Sequence, residues 1–259
     1  MTSREDILNK YNNKEDKIFV SSILDKILKY NKTDTIITTN FLDLNEFKIA
    51  IALLNKFNVK YEVFSLEDML ERRCIAILPE YTQGYDFPVV SCIKVTANKE
   101  AKLSHKDYMG SIYNIGITED MIGDIIALEN YAYIFLIDKV LEYVLLNYTN
   151  VGKHKVEIDV INFCDLKEIT YNFEDKNVIV PSERIDSVLA HLYNLSRSEV
   201  ESKVQKNEVY VNSKCVNSKT YILKENDIVS FRKFGKFKYI GIIKKTKNSN
   251  LVVRVKIYK

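Results

Sequence analysis

Apolar residues recur along this chain with two different periods, and the points where the period switches divide it into parts. In residues 14–31, Ile18, Phe19, Ile23, Ile27 and Leu28 fall along one helical stripe, because 3.6 residues per turn returns side chains three and four apart to one face. The β-branched run Thr35 to Thr39 predicts a strand. Asp43 is placed to cap a second helix whose apolar face is Leu44, Phe47, Ile51 and Leu54. Val59 to Phe64 and Cys74 to Leu78 predict further strands. Residues 1–82 therefore read as a small α/β domain without obvious chemistry. Pro79 to Pro88, with Gly84 inside, marks its end.

After that boundary the pattern alternates regularly. Val89 to Thr96 predicts a strand, Ser104 to Asn114 a helix, and Ile122 to Leu128 with Tyr131 to Leu136 a hairpin turning at Glu129-Asn130. Asp138 to Asn147 predicts a helix and Lys155 to Ile161 a strand. The order β-α-β-β-α-β is the split ferredoxin-like arrangement. Two helices on one face leave the other face open, and RNA-recognition modules use that face. A β-rich stretch, Leu166 to Val180, closes this part at residue 180, where Pro181 breaks the chain.

Residues 181–259 carry two short amphipathic helices and a small sheet. Ser182 is placed to cap a helix facing inward through Ile185, Val188, Leu189 and Leu192. Ser196 with Glu199 three residues on forms a capping box for the next helix, which turns Val200 and Val204 inward. Val209-Tyr210-Val211 and Ile228 to Phe231 predict strands separated by turns at Asn212-Ser213-Lys214 and Lys224 to Asp227. The expected fold is α+β throughout: an α/β N-terminal domain, a ferredoxin-like middle domain and a helical C-terminal module with a small β-sheet.

Composition adds a polarity to this layout. The net charge is only +3, but residues 182–259 hold 17 Lys and Arg against 7 Asp and Glu, and residues 1–181 hold 21 against 28. A basic part attached to an acidic one points to a polyanion as partner of the basic part. No apolar run approaches the ~20 residues that span a bilayer, and Met1 to Tyr11 lacks an apolar leader core. The expectation is a cytoplasmic protein without membrane insertion. The four cysteines, Cys74, Cys92, Cys164 and Cys215, are widely spaced and read as buried thiols. With three distant histidines they support no metal site, and no Gly-rich loop calls for a cofactor.

In the C-terminal part, Ser-Glu-Arg-Ile-Asp (182–186), Ser-Arg (196–197), Asn-Glu-Val-Tyr-Val-Asn (207–212) and Asn-Asp-Ile-Val (226–229) resemble the S-four RNA-binding domain. That resemblance implies that Arg184, Arg197, Lys203, Lys206 and Lys214 face RNA. Where that family usually has glycine, this chain has Asn207, Ser213 and Asn226. Arg232, Lys233, Lys236 and Lys238 alternate with Phe234, Phe237 and Tyr239 at strand spacing, so that one face can track phosphates while the aromatics pack or stack.

Leu103-Ser104-His105-Lys106-Asp107-Tyr108-Met109-Gly110, followed by Asn114-Ile115-Gly116-Ile117 and Ile122-Gly123-Asp124-Ile125, resembles the signature of the bacterial YlmH family, which carries the S-four module last. The resemblance implies a non-enzymatic RNA-binding protein of the large ribosomal subunit. It also implies binding of ribosomal RNA and peptidyl-tRNA in rescue of stalled ribosomes by C-terminal tailing. His105 and Lys106 project from a helix start, a natural anion site; Asp107 reads either as the capping partner of Ser104 or as an acid–base partner of His105. Asn130 to Phe135 resembles the aromatic core of the first ribonucleoprotein motif, with Tyr131 and Tyr133 on one face, either to stack on bases or to pack. Two other readings compete. One is an RNA-modifying enzyme, since Arg184-Ile185-Asp186 resembles the catalytic Arg-Leu-Asp of pseudouridine synthases. The other is an interaction protein of cell division or photosynthetic assembly, acting through a protein partner of the acidic N-terminal domain.

Overall fold

The computed structural model describes residues 3–64, 70–82, 89–98, 101–163 and 171–258. The chain forms two compact units, 1–170 and 171–259.

The first unit begins with α1 (Arg4–Leu8), α2 (Lys14–Thr33), β1 (Ile37–Thr38), α3 (Leu44–Lys56), β2 (Tyr61–Phe64) and β3 (Cys74–Ile77). Asp43 caps α3 by accepting from the N–H groups of Asn45 and Glu46, and Glu46 accepts in return from the Asp43 N–H. The three strands form an antiparallel sheet in the order β1-β3-β2. The buried face of α2 is Val20, Ile23, Leu24 and Ile27, and that of α3 is Ile49, Ala50, Leu53 and Leu54. Ile18 and Leu28, expected in the stripe, are exposed. Phe47 and Ile51 are partly buried and flank the α3 face rather than centre it.

The same unit continues with β4 (Val90–Ala97), α4 (His105–Asn114), β5 (Ile122–Ala127), β6 (Tyr131–Ile137), α5 (Leu141–Asn147), β7 (Asn150–Val151) and β8 (His154–Ile161). All pairings are antiparallel and the order is β5-β6-β4-β8-β7. Tyr108 and Ile112 of α4, with Val144 of α5, pack on Ile93, Val95, Ala132 and Ile134. Successive strand residues alternate faces, so Cys92, Lys94, Tyr131, Tyr133 and Phe135 point the other way.

That other face was expected to be open, and half of it is not. Phe135 and Cys92 are fully buried and Ile126 nearly so. The N-terminal segment seals this end. A Cβ on Gly123 would lie 2.6 Å from the Phe41 ring, and the Phe41 N–H donates to the Asp120 carbonyl at 2.9 Å. The Asp124 carboxylate accepts from the N–H groups of Glu71 and Arg72 at 2.8 and 3.1 Å. The Arg72 guanidinium pairs with Glu119 at 2.8 Å. These bonds make one compact body of what the sequence divides at residue 82; residues 83–88 of that predicted boundary lie outside the described set.

The second unit contains β9 (Phe173–Val180), α6 (Ile185–Tyr193), α7 (Arg197–Gln205), β10 (Val209–Val211), β11 (Lys214–Cys215), β12 (Ile228–Phe231), β13 (Gly235–Lys245) and β14 (Leu251–Tyr258). Its antiparallel sheet runs β11-β10-β12-β13-β14-β9. The strand β9 pairs with β14 over eight registered positions, from Val180↔Leu251 to Phe173↔Tyr258. The expected boundary at Pro181 therefore falls too late: Pro181 ends a strand inside the unit. Residues 166–170 of the predicted β-rich stretch, and Cys164, lie outside the described set. Helices α6 and α7 cover one sheet face through Ile185, Leu189, Val200 and Val204, against Val229, Phe231, Phe237, Tyr239 and Val253. The other face carries no helix of this unit.

Asn207, Asn212, Ser213 and Asn226 all adopt positive φ, between 49° and 68°. Asn tolerates this left-handed region because its short amide can bond locally, whereas Ser213 is strained there. The Asn212-Ser213 pair makes the two-residue turn that carries Lys214.

Candidate nucleic-acid interface

Two groups of cationic side chains border the α6–α7 pair, the first matched in charge by carboxylates and the second with cations in excess. The first is built from the start of α6. Arg184, not Ser182, occupies the cap position, and no side chain caps this helix. Its first N–H groups are used by a neighbouring loop instead: Ile185 donates to the Tyr221 carbonyl at 2.8 Å and Asp186 to that of Lys219. Asp186 is buried, and its carboxylate accepts from the Arg184 guanidinium at two points, 3.1 and 2.8 Å. This fork-to-carboxylate geometry fixes Arg184 while leaving it about two-fifths exposed. Lys219, which the sequence reading passed over, pairs with Glu201 of α7 at 2.5 Å. Arg197 lies one helical turn before Glu201 and is exposed. Ser196 accepts from the Glu199 N–H, and Glu199 accepts from Ser196 at 2.8 Å, so the predicted capping box is formed.

The second cluster gathers at the other end of α7. Lys203 pairs with Glu208 at 2.8 Å, and its ammonium lies 5.9 Å from the Phe234 ring centre. The hydrogen bond from Lys203, with the fields of Lys203, Lys233 and Lys206, holds the Glu208 carboxyl below its ordinary range. One carboxylate thus faces three ammonium groups. The Arg232 N–H donates to the Glu208 carbonyl at 2.9 Å, which places the β12–β13 turn beside them. Cations in the last turn of a helix also meet its negative dipole end, so part of this arrangement stabilises α7 itself.

Lys236 and Lys238 belong to neither cluster. They point to the helix-free sheet face, opposite Phe237 and Tyr239, both of which are buried. Burial, with the hydrogen bond to Glu183, raises the Tyr239 hydroxyl pKa. On the same outer face stand Arg254 and Lys256, legible in retrospect as the polar positions of an alternating strand. Lys214 stands apart at the β10–β11 turn.

In the first unit the candidates separate. His105 and Lys106 start α4 on the helix side of the sheet, whereas Tyr131 and Tyr133 lie on the opposite face. Asp107 accepts from both the N–H and the hydroxyl of Ser104, at 2.8 and 2.7 Å, and these bonds lower its pKa. Tyr131 and Tyr133 meet edge to face at 5.5 Å, and Lys94, unmarked by any motif, lies 4.5 Å from the Tyr131 ring centre. The next strand sets Asp159 and Glu157 opposite Lys94 and Thr96, so this half-open face is not uniformly basic.

Similarity to known proteins follows the same division. A family model described as "Putative RNA-binding domain in YlmH" matches residues 83–165, and the S4 domain model matches 183–229. The chain is 29% identical over 211 residues to the "Ribosome-associated protein quality control protein P2" of Bacillus subtilis, covering 81% of this chain and 82% of that protein. It is 33% identical over 73 residues to the small ribosomal subunit protein uS4 of Lachnoclostridium phytofermentans, 27% of this chain and 37% of that one. The structure of the cell division protein ylmH from Streptococcus pneumoniae superposes with a TM-score of 0.52 at 21% identity, over 60% of this chain and 96% of that one. The chain thus carries a region matching the RNA-binding domain described in YlmH, followed by an S4 domain in its C-terminal unit, and is similar along four-fifths of its length to a ribosome-associated quality control protein.

Proposed function

We propose that this protein binds structured RNA on the ribosome without modifying it, using the two groups of cationic side chains that border α6 and α7. The observation that carries this reading is a set of cations held by carboxylates, Arg184 by Asp186, Lys219 by Glu201 and Lys203 by Glu208, with Lys206 and Lys233 near enough to act on the Glu208 carboxyl. Around Glu208 the cations outnumber the carboxylate, so that group keeps the net positive charge a phosphate surface requires, whereas Arg184 and Lys219 are each matched by one carboxylate and offer positioned donors. Arg197 at the start of α7 adds a planar fork suited to phosphate.

The partner proposed is ribosomal RNA of the large subunit together with peptidyl-tRNA, in quality control of stalled ribosomes and C-terminal tailing. The name of the Bacillus subtilis relative supports the ribosomal and quality-control parts of this reading. In the competing modification reading, Asp186 would meet a base; its burial and its two bonds to Arg184 argue for a positioning role instead. The half-open face bearing Lys94, Tyr131 and Tyr133 is a secondary contact at most, because Asp159 and Glu157 adjoin it. Ultraviolet crosslinking in cells, followed by sequencing of the bound RNA, tests the proposal. Enrichment of large-subunit rRNA and tRNA is expected; enrichment of neither overturns it.

A further inference from the structure

We propose that the helix-free face of the C-terminal sheet is a second RNA site, which holds a single strand by its phosphates independently of base sequence. The inference rests on the RNA-binding reading above and adds a separate surface to it.

The register carries the argument. Lys238 of β13 lies directly opposite Lys256 of β14, with Lys236 one row along and Arg254 two residues before Lys256. Like charges directly opposite on one sheet face repel and destabilise it. Asp175, opposite Lys256 on its other side, is the one acid on this face of β12, β13, β14 and β9. None of the ion pairs among the described residues involves Lys238, Arg254 or Lys256. Lysines on a strand often serve to keep a sheet edge from pairing with another chain. That explanation fails here, because β13 and β14 are interior strands and the edges are β11 and β9. Lys238 set directly against Lys256 in the interior of a sheet, with Arg254 close by and Asp175 the single acid among the outward residues of these strands, is therefore a cost that a bound polyanion would offset.

The aromatic residues on this face hold the cations in place. The Lys236 ammonium lies 4.9 Å from the Tyr258 ring centre and that of Lys256 lies 5.6 Å from the Phe173 ring centre. Tyr258 and Phe173 brace each other edge to face at 4.8 Å, and Tyr171 packs on both. Rings engaged with ammonium groups are poorly placed to stack on bases, so the site reads phosphates rather than sequence. Cations two residues apart on a strand stand about 6.6 Å apart, on strands about 4.8 Å apart, a flat array suited to an extended strand.

The test titrates a labelled 20-mer of oligouridine, and separately a labelled RNA hairpin, with the full chain at several salt concentrations. The proteins are wild type, K238A/K256A and R197E. On oligouridine, K238A/K256A should bind roughly tenfold more weakly at low salt, with a salt slope reduced by about 1.4, since each single-strand phosphate contact contributes ~0.7. Its melting temperature should hold or rise, because repulsion is removed; that result excludes misfolding as the cause. Hairpin binding should fall in R197E. If K238A/K256A binds oligouridine as wild type does, or wild type binds the hairpin but not oligouridine, the second site is refuted and the first reading stands. If wild type binds neither RNA, both fail together.

Discussion

The Arg184 guanidinium lies side by side with the buried Asp186 carboxylate, joined by Nε to Oδ1 at 3.1 Å and Nη2 to Oδ2 at 2.8 Å. A buried carboxylate bonded twice to one partner is spoken for, and its removal releases the guanidinium. Asp186→Ala should therefore weaken RNA binding while lowering stability by about 1–3 kcal/mol, through loss of a charge-assisted pair. Melting curves and RNA titrations measure the two effects. Nucleoside mass analysis of rRNA and tRNA incubated with wild type should show no new modification; a pseudouridine mark abolished by Asp186→Ala would reinstate the enzymatic reading.

Gly123 abuts Phe41, and the Phe41 ring is buried. Gly123→Ala should destabilise the first unit by about 1–3 kcal/mol through overpacking, and adding Phe41→Leu should restore part of the loss. Denaturant unfolding of the single and double variants checks this. Additive losses would show that the two positions do not share one contact.

The capping carboxylates give a pH signature. The Asp107 pKa is lowered by its bonds from Ser104, and that of Glu199 by its bonds with Ser196. A carboxyl lowered by folding stabilises above its unfolded pKa, and the contribution is lost as pH falls through the folded value. Asp107→Asn should thus melt below wild type at pH 7, and the gap should close as pH drops below about 4. A gap that is constant with pH would mean that the charge does not matter.

Much of this organisation was legible in the sequence because it rests on local rules. The cap at Asp43, the capping box at Ser196 and the strand-turn-strand at Glu129-Asn130 are read from neighbours a few residues apart. Apart from the α6 cap, two residues later than Ser182, and the exposed Ile18 and Leu28, the misreadings involve partners distant in sequence. Phe41 covering Gly123, Asp124 capping residues 71 and 72, and β9 pairing with β14 leave no local mark. In the same way, strand alternation gave Lys236 and Lys238 a common face, but only the register set Lys256 beside Lys238. A fragment that starts at Ser182 would strip β9 from β14, so binding is better tested on the full chain.

The central claim is tested most directly at Arg197. It occupies the first turn of α7, exposed, beside a capping box that does not involve its side chain. Arg197→Glu replaces a phosphate-binding fork with a repelling charge, and the helix start tolerates an acid there. Lysates resolved on a sucrose gradient at physiological salt should show wild type in the large-subunit fractions and Arg197→Glu at the top, with melting temperatures nearly equal. An Arg197→Glu protein that still sediments with the large subunit would contradict the account.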